Sequence, residues 1–430
     1  MTAGIPNRST APQVHPMPRL RLPGHDTYDL DCGIRMHVLR SAVCDAPVFS
    51  MQLVAAGCGR SECANRAAAA LYAPMLTKGS EGFSADDISE LMEGAGAWLS
   101  AAQQSRHLQI TLRGLTDTAA TIVPALAQIL ARPMFPADRL AVAARTAAMS
   151  RSISIMKPAT MAADAVRAML WGPGHPSASV PSPEQLLAVT PEDVACCHKA
   201  YSPRRISVYL CGAVTPALEK IVADAFNAIY SAATHEEWSP VIIPASPTPG
   251  QRFLDAPDSS QAAICLRIPT IMRSHPDYET LHLAVRALGG YFGSRLNMRL
   301  REERGLTYGA SAALIGSLEG AAMSVTTECR GEAAGEALDI ITSEIERFGN
   351  EPPKGDELER LRSHALSSLA SNLDSPFSML DYAVLHETIG TPSDYFDRMR
   401  DAILSATPES LSRVFAGHIR PADLIIAVAR

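Results

Sequence analysis

The stretch FGSRLNMRLREERGLTY, residues 292–308, is the part of the sequence that decides the predicted fold. Apolar residues recur at helical spacing from Arg295 to Glu303, which predicts a short helix. Alternating apolar residues over 307–315 and 320–327 predict two strands directly after it. The C-terminal half is therefore expected to place a charged helix immediately before a pair of strands.

The same order of elements recurs in both halves of the chain: strand, helix pair, two strands, helices and a last strand. Because the helices follow the strands in blocks, each half is predicted to be α+β, with a mostly antiparallel sheet flanked by helices. A chain of 430 residues is also too long for one ordinary core, so we predict two tandem homologous domains. The predicted divisions are a mobile arm at 1–22, an N-terminal domain at 23–230, a Pro-rich linker at 231–250 and a C-terminal domain at 251–430.

The composition argues against several classes of protein. A net charge of −7 and an aromatic content of 5% do not indicate a surface for nucleic acid. No apolar run reaches the roughly 18 residues that span a bilayer, and the first residues lack the apolar core of a secretory signal. Nine scattered cysteines favour reduced thiols over a disulfide framework. We expect a cytoplasmic protein with neither a membrane nor a nucleic-acid partner.

The side chains alone do not indicate a complete active site. No two of the twelve histidines are closer than seven residues, so no helix carries the His pair typical of a zinc site. Cys196-Cys197-His198 and the pair Cys58 and Cys63 are the local clusters, and neither has the spacing of zinc ligands. Half-buried thiols beside a surface histidine are the alternative interpretation. No phosphate-binding loop and no G-x-S-x-G elbow is present.

Two stretches together resemble the pitrilysin family of zinc peptidases, over essentially residues 20–430. The first is AAAALYAPMLTKGS at 67–80, followed by FSADDISELMEGAGAWLSAAQQ at 83–104. The second is the stretch at 292–308, which matches the pattern S-R-L-x(4)-R-E-x-R-G-L-x-Y of the C-terminal half of that family. The resemblance implies the two-domain α+β fold and a role in peptide hydrolysis.

The resemblance also shows where this chain departs from the family. Active members carry the motif H-x-x-E-H before M-L-x-K-G, and here its three chemical positions fall on Ala70, Ala73 and Pro74. Methyl groups and a prolyl ring can neither bind zinc nor accept a proton. The third zinc ligand of the family, a Glu, would fall near Ser150, where no acidic residue occurs. We therefore expect no metal and no cofactor in this chain.

Arg301 and Tyr308 match two residues of the C-terminal motif that hold substrate in two-domain members of the family. There they face the zinc site of the opposite domain and contact the polarised carbonyl. A guanidinium and a phenol are suitable donors to a carbonyl that becomes an oxyanion. The alternative is that Arg301 and Arg304 pair with Glu302, Glu303 or other helix neighbours, and that Tyr308 fills a strand face.

The segment Gly96-Ala97-Trp98-Leu99 corresponds to a strand that pairs with extended substrate in active relatives. Such pairing adds the peptide as one more strand to the sheet. The alternative is that Trp98 and Leu99 are core residues. We predict these four residues as a candidate substrate-binding strand.

A chain that has the donor residues but lacks the metal ligands is expected to work in a heterodimer. The resemblance implies a partner subunit that carries H-x-x-E-H and zinc, with unfolded peptide as the substrate. Arg301 and Tyr308 would then act in trans. The rival hypothesis is a catalytically inactive scaffold or peptide-binding subunit of a larger complex, similar to the peptidase-derived core proteins of respiratory complexes.

Overall fold

The computed structural model describes residues 16–19, 24–40 and 46–430. The arm predicted at 1–22 lies outside these residues except for 16–19, and the prediction of a mobile arm stays a prediction. The strands of the described part are β1 (His25–Asp29), β2 (Arg35–Arg40), β3 (Val48–Ala56), β4 (Gly79–Ser80), β5 (Phe83–Ser84), β6 (Trp98–Gln103), β7 (His107–Leu115), β8 (Ile206–Gly212), β9 (Gly250–Leu254), β10 (Gln261–Thr270), β11 (Thr307–Ser317), β12 (Gly320–Arg330) and β13 (Ile425–Ala429).

The helices carry most of the connections between these strands. They are α1 (Arg66–Met75), α2 (Ala85–Gly94), α3 (Ala119–Ala131), α4 (Ala137–Ile155), α5 (Pro158–Trp171), α6 (Pro183–Leu187), α7 (Pro191–His198), α8 (Pro216–Asn227), α9 (Tyr278–Gly289), α10 (Arg295–Asn297), α11 (Ala334–Phe348), α12 (Asp356–Ser371), α13 (Pro376–Ile389), α14 (Tyr395–Ser405) and α15 (Pro408–His418). None of the helices in the described residues is long and apolar enough to cross a membrane.

The two large sheets have the same topology. The first has the strand order β1-β2-β8-β3-β7-β6, and the second has β9-β13-β10-β12-β11. Each contains one parallel pair, β2 with β8 and β9 with β13, and the remaining pairs are antiparallel. Apart from β1, each strand of the first sheet has an equivalent in the second. This confirms the predicted fold class, and it makes β6 and β11 equivalent edge strands.

Each sheet has an apolar core of its own on one face. In the first half the core is built on β3, β7 and β8, whose alternating apolar residues pack against α1, α3 and α8. In the second half α9, α11 and α15 pack on β10 and β12. Strand β8 is buried along its whole length. A strand with apolar residues on both faces needs other elements packed on each side of its sheet.

The second face of each sheet is covered by a helix from the other half. Helix α5 belongs by sequence to the first half, but Val166, Met169 and Leu170 pack on the second sheet beside Cys265 and Ile425. Conversely, α13 covers the first sheet. Its residues Leu380, Ala383 and Val384 pack against the sheet residues Leu39, Val54 and Tyr209. The two halves are therefore joined by an exchange of helices, and not by the linker alone.

A buried ion pair adds a polar link between the halves. Arg106, in the turn between β6 and β7, contacts Glu319, in the equivalent turn between β11 and β12. Arg106 and Glu319 are 8% and 5% exposed. The same guanidinium donates to Glu62 at 2.5 Å and to the carbonyl of Val241 in the linker at 2.9 Å. Residues 231–249 have no helix or strand, yet the linker is hydrogen bonded to both halves, for example from Ala245 N to Glu319 O at 3.3 Å.

Candidate functional site

Helix α1 spans the positions at which the resemblance places the zinc motif, and these positions carry none of its ligands. It begins at a cap in which Asn65 Oδ1 accepts the amides of Ala67 and Ala68, each at 3.1 Å. Ala70 and Pro74 lie one turn apart on the exposed side, and Ala73 is 3% exposed. The i and i+4 positions that would hold a metal are thus side by side and offer only carbon atoms.

The position predicted for the third ligand lies on α4, which packs against α1. Ala144 and Ala148 are buried on α4, whereas Ser150 is exposed. The structure therefore brings together the two helices that hold zinc in the family. Among the described residues, the cluster of His, Cys, Asp or Glu that could hold a metal ion lies in the C-terminal half, away from α1.

Three cysteines from the two clusters of the sequence, Cys58, Cys63 and Cys197, are buried near α1, whereas Cys196 is exposed. Cys197 and Cys63 are hydrogen bonded, and this contact, together with burial, raises the pKa of the Cys197 thiol. Burial also raises the pKa of Cys58 to about 12. His198 is not a surface residue, because its Nδ1 lies 2.8 Å from the hydroxyl of Tyr72 and burial lowers its pKa to about 4. The raised pKa values of Cys58 and Cys197 disfavour metal binding by these two thiols, whereas the hydrogen bond with Cys197 lowers the pKa of the Cys63 thiol.

Gly96 has a structural role at the end of α2. Its amide donates to Glu93 O at 3.0 Å, and the amide of Ala97 donates to Met92 O at 2.8 Å. This is the Schellman pattern of a helix C-terminus, which places Gly96 at a φ of +62°. Glycine adopts that φ without steric cost, so Gly96 aims the chain from α2 into β6.

Edge strand β6 has the exposure expected of a strand that can accept a further chain. Ala97 and Leu99 pack partly against the N-terminal core, while Trp98 points to the other face and is 55% exposed. The guanidinium of Arg113, on the paired strand β7, lies 5.7 Å from the Trp98 ring centroid. Trp98 is thus not a core residue. Substrate binding by residues 96–99 stays a prediction, and α1 contacts this same strand.

Arg301 lies in an irregular helix that joins α10 to β11. After α10 the chain continues as a π-helix over Met298–Glu303, a form that often marks functional sites. The Arg301 guanidinium carbon is 3.9 Å from the ring centroid of Phe292. Its Nε is 3.7 Å from Glu302, too long for a hydrogen bond, whereas Arg304 is paired with Glu336. Arg301 thus has an ion-pair contact with Glu302, which the alternative names, whereas the partner of Arg304 lies on α11 and not on its own helix.

Tyr308 projects into solvent because β11 has a bulge at this point. Thr307 pairs with Cys329 and Ala310 pairs with Thr327, so two residues of β11 oppose one residue of β12. Bulges of this kind change the direction of a side chain and are frequent next to active sites. The Tyr308 side chain is 96% exposed, and it does not fill a strand face. It lines a groove of about 1050 Å³ between β10, β11, β12 and α5.

Asn297 holds the helix of Arg301 and the strand of Tyr308 in a fixed relation. It is 7% exposed; its Oδ1 accepts the amide of Ala310 at 3.0 Å, and its Nδ2 donates to Ala310 O at 2.9 Å. The sequence analysis did not single out this residue, although it is part of the quoted motif. The sequence feature that could have identified Asn297 is its amide side chain between two apolar residues of a predicted helix. A polar group that is buried at such a position needs a hydrogen-bond partner.

The substitution Asn297→Ala should loosen this junction. Two backbone groups of Ala310 would lose their partners in a buried place, which typically costs about 1–3 kcal/mol of unfolding free energy. We expect a lower midpoint of urea unfolding and faster amide exchange at Ala310. Asn350→Ala, at the exposed end of α11, is the control and should change neither. Unchanged exchange at Ala310 would contradict the role of Asn297.

Parts of the sequence match a family model and a curated protein. Residues 188–364 match the family model of the peptidase M16 inactive domain. An uncharacterized zinc protease of Streptomyces coelicolor is 24% identical over 183 residues, which are 41% of this chain and 40% of that protein. The alignment thus spans less than half of that curated relative.

The solved structures resemble nearly the whole chain. A peptidase M16 inactive domain from Pseudomonas fluorescens has a TM-score of 0.84 and 22% identity, over 94% of this chain and 97% of that one. A protease from Helicobacter pylori has a TM-score of 0.85 and 13% identity, over 95% and 100%. The periplasmic protease PqqL of Escherichia coli has 0.76 and 14%, over 99% of this chain and 48% of its own.

The fold is therefore that of the M16-type peptidases. The family model of the inactive domain matches 177 of the 430 residues, all of them between Ala188 and His364. The matched residues include Arg301 and Tyr308 and exclude α1.

Proposed function

We propose that this chain is the non-zinc subunit of a heterodimeric peptidase that degrades unfolded peptides. The observation that carries the proposal is the exposure of Tyr308 at a bulge of β11, seven residues after Arg301, whose guanidinium stacks on Phe292. A large aromatic side chain that is 96% exposed contributes little to folding, so its position is better explained by a contact with another molecule.

The partner would carry H-x-x-E-H and a zinc ion that activates water. In this chain, the phenol of Tyr308 and the guanidinium of Arg301 would donate to the scissile carbonyl as negative charge develops on its oxygen. The Phe292 ring would hold the guanidinium in place by stacking. Extended peptide would pair with an edge strand, for which β6 is the candidate in this chain.

The test is purification of the tagged chain from its native extract, followed by mass spectrometry and peptidase assays. We expect a companion of similar size, in equal amount, that carries H-x-x-E-H. Hydrolysis of an unfolded peptide should require both chains and should stop when a chelator removes zinc. If the chain is recovered alone or with subunits of a membrane complex, and no such companion is found, the proposal is wrong and the scaffold hypothesis replaces it.

A further inference from the structure

Two histidines and an aspartate meet at the junction of α9 and α15, outside the two stretches that resemble the peptidase family. His275 and Asp277 belong to the turn that begins α9, and His418 is the last residue of α15. One potential ligand atom from each residue lies within 4.8 Å of the others. The sequence analysis could not find this group, because its members come from opposite ends of the C-terminal half.

The side chains are turned toward one another. His418 Nε2 is 2.8 Å from Asp277 Oδ2, and the rings of His275 and His418 are edge to face with centroids 5.0 Å apart. Asp277 stands at the N-cap of α9 but makes no capping hydrogen bond with its side chain. An aspartate in that position normally caps the helix. Here the carboxylate of Asp277 instead lies within hydrogen-bond distance of His418.

The backbone around the three residues is fixed. The amide of His275 donates to Met272 O at 3.0 Å, and the amide of Tyr278 donates to His275 O at 3.0 Å. The hydroxyl of Thr270 donates to His418 O at 3.0 Å. Because α9 and α15 also pack in one core, the three side chains are supported by rigid elements, as a metal site requires.

We propose that His275, Asp277 and His418 bind one Zn²⁺ ion, with a water molecule in the fourth position. Two imidazoles and a carboxylate suit zinc, which is bound at about 2.0–2.2 Å by such ligands. Tetrahedral bonds of that length place ligand atoms roughly 3.3 Å apart. Two of the ligand atoms here are 2.8 Å apart, and all three lie within 4.8 Å of one another.

Little has to change for the ion to enter. The three side chains are only partly buried, so water and ions reach them. The hydrogen bond with His418 is the main cause that lowers the pKa of the Asp277 carboxyl, which is therefore ionised at neutral pH. The amide of Asp277 donates to His275 Nδ1 at 3.1 Å, and this local hydrogen bond is given up whichever ring nitrogen binds the metal.

The bound ion would fasten the end of α15 to the start of α9. Neither helix carries Arg301 or Tyr308, although α9 packs on β11, the strand of Tyr308. An ion that binds only the folded chain raises its stability in proportion to the logarithm of the free ion concentration. Calcium and magnesium prefer oxygen ligands and should not compete.

The experiment is a titration of the chelator-treated full chain with Zn²⁺ by calorimetry, and with Co²⁺ by visible absorption. We expect one equivalent to bind, a tetrahedral Co²⁺ spectrum and a rise in Tm with Zn²⁺ but not with Ca²⁺. His275→Ala and Asp277→Asn should each weaken binding by at least about 100-fold, since even loss of an outer-shell partner costs 10–100-fold.

His364→Ala is the control, because that histidine is exposed on α12, another helix of the C-terminal half, and lies outside the cluster. It should bind Zn²⁺ as the unchanged chain does. His275→Ala serves as the main variant, since His275 lies in a turn and its loss leaves the contact between α9 and α15 intact. The proposal is wrong if no saturable binding is seen, or if these variants bind Zn²⁺ as tightly as the control.

Discussion

Replacing Tyr308 with phenylalanine should lower kcat of the assembled peptidase by about 10²–10³-fold, the usual effect of removing one oxyanion donor. The side chain is 96% exposed, so loss of its hydroxyl should leave folding and assembly unchanged. The measurement is kcat on an unfolded peptide with the zinc-bearing partner in excess. Tyr28→Phe, a substitution of another exposed tyrosine on the first sheet, is the control and should keep full activity.

Arg301→Ala should have a comparable effect, because the variant loses the guanidinium that stacks on Phe292. Arg304→Ala is the matched control on the same helix, since Arg304 is engaged with Glu336 and is 56% exposed. We expect the control to keep its activity. Unchanged turnover in both Tyr308→Phe and Arg301→Ala would remove the catalytic role that we assign to this chain.

Replacing Arg106 with leucine should destabilise the protein by about 3–5 kcal/mol, the typical cost of leaving one member of a buried ion pair without its partner. Glu319 is 5% exposed, so its charge would have little access to water in the variant. The measurement is the free energy of unfolding from urea titrations, together with the number of transitions. A second transition would show that the two halves have become uncoupled.

The double variant Arg106→Leu/Glu319→Gln should recover part of the loss, because it removes the uncompensated charge. Arg132→Ala breaks an ion pair with Glu81 in which both side chains are 62% exposed, and it should change stability little. A loss in Arg106→Leu no larger than in this control would show that the link between the two turns does not hold the halves together.

Much of the fold follows from the sequence because local patterns fix local structure. Runs of apolar residues predict a strand at 48–56 and a helix at 137–155, and both have these bounds in the structure. The run at 29–39 also has the pattern of one strand, but Gly33, at a φ of +85°, turns the chain between β1 and β2.

The exchange of α5 and α13 could not be predicted, because an apolar helix face does not specify which sheet it will cover. The same limit applies to the site. The motif match located Arg301 and Tyr308, but only the strand register shows the bulge that turns Tyr308 outward. The cluster of His275, Asp277 and His418 depends on tertiary contact alone and has no local pattern in the sequence.

The exchange of helices also restricts how a substrate could enter. Hinging the two halves apart would strip α5 from the second sheet and α13 from the first, and would expose apolar surface on both. Within this chain such a motion is therefore opposed by the burial of both helices. In a two-chain peptidase the substrate chamber would open by a motion of one subunit against the other. Each subunit would then move as a single rigid body.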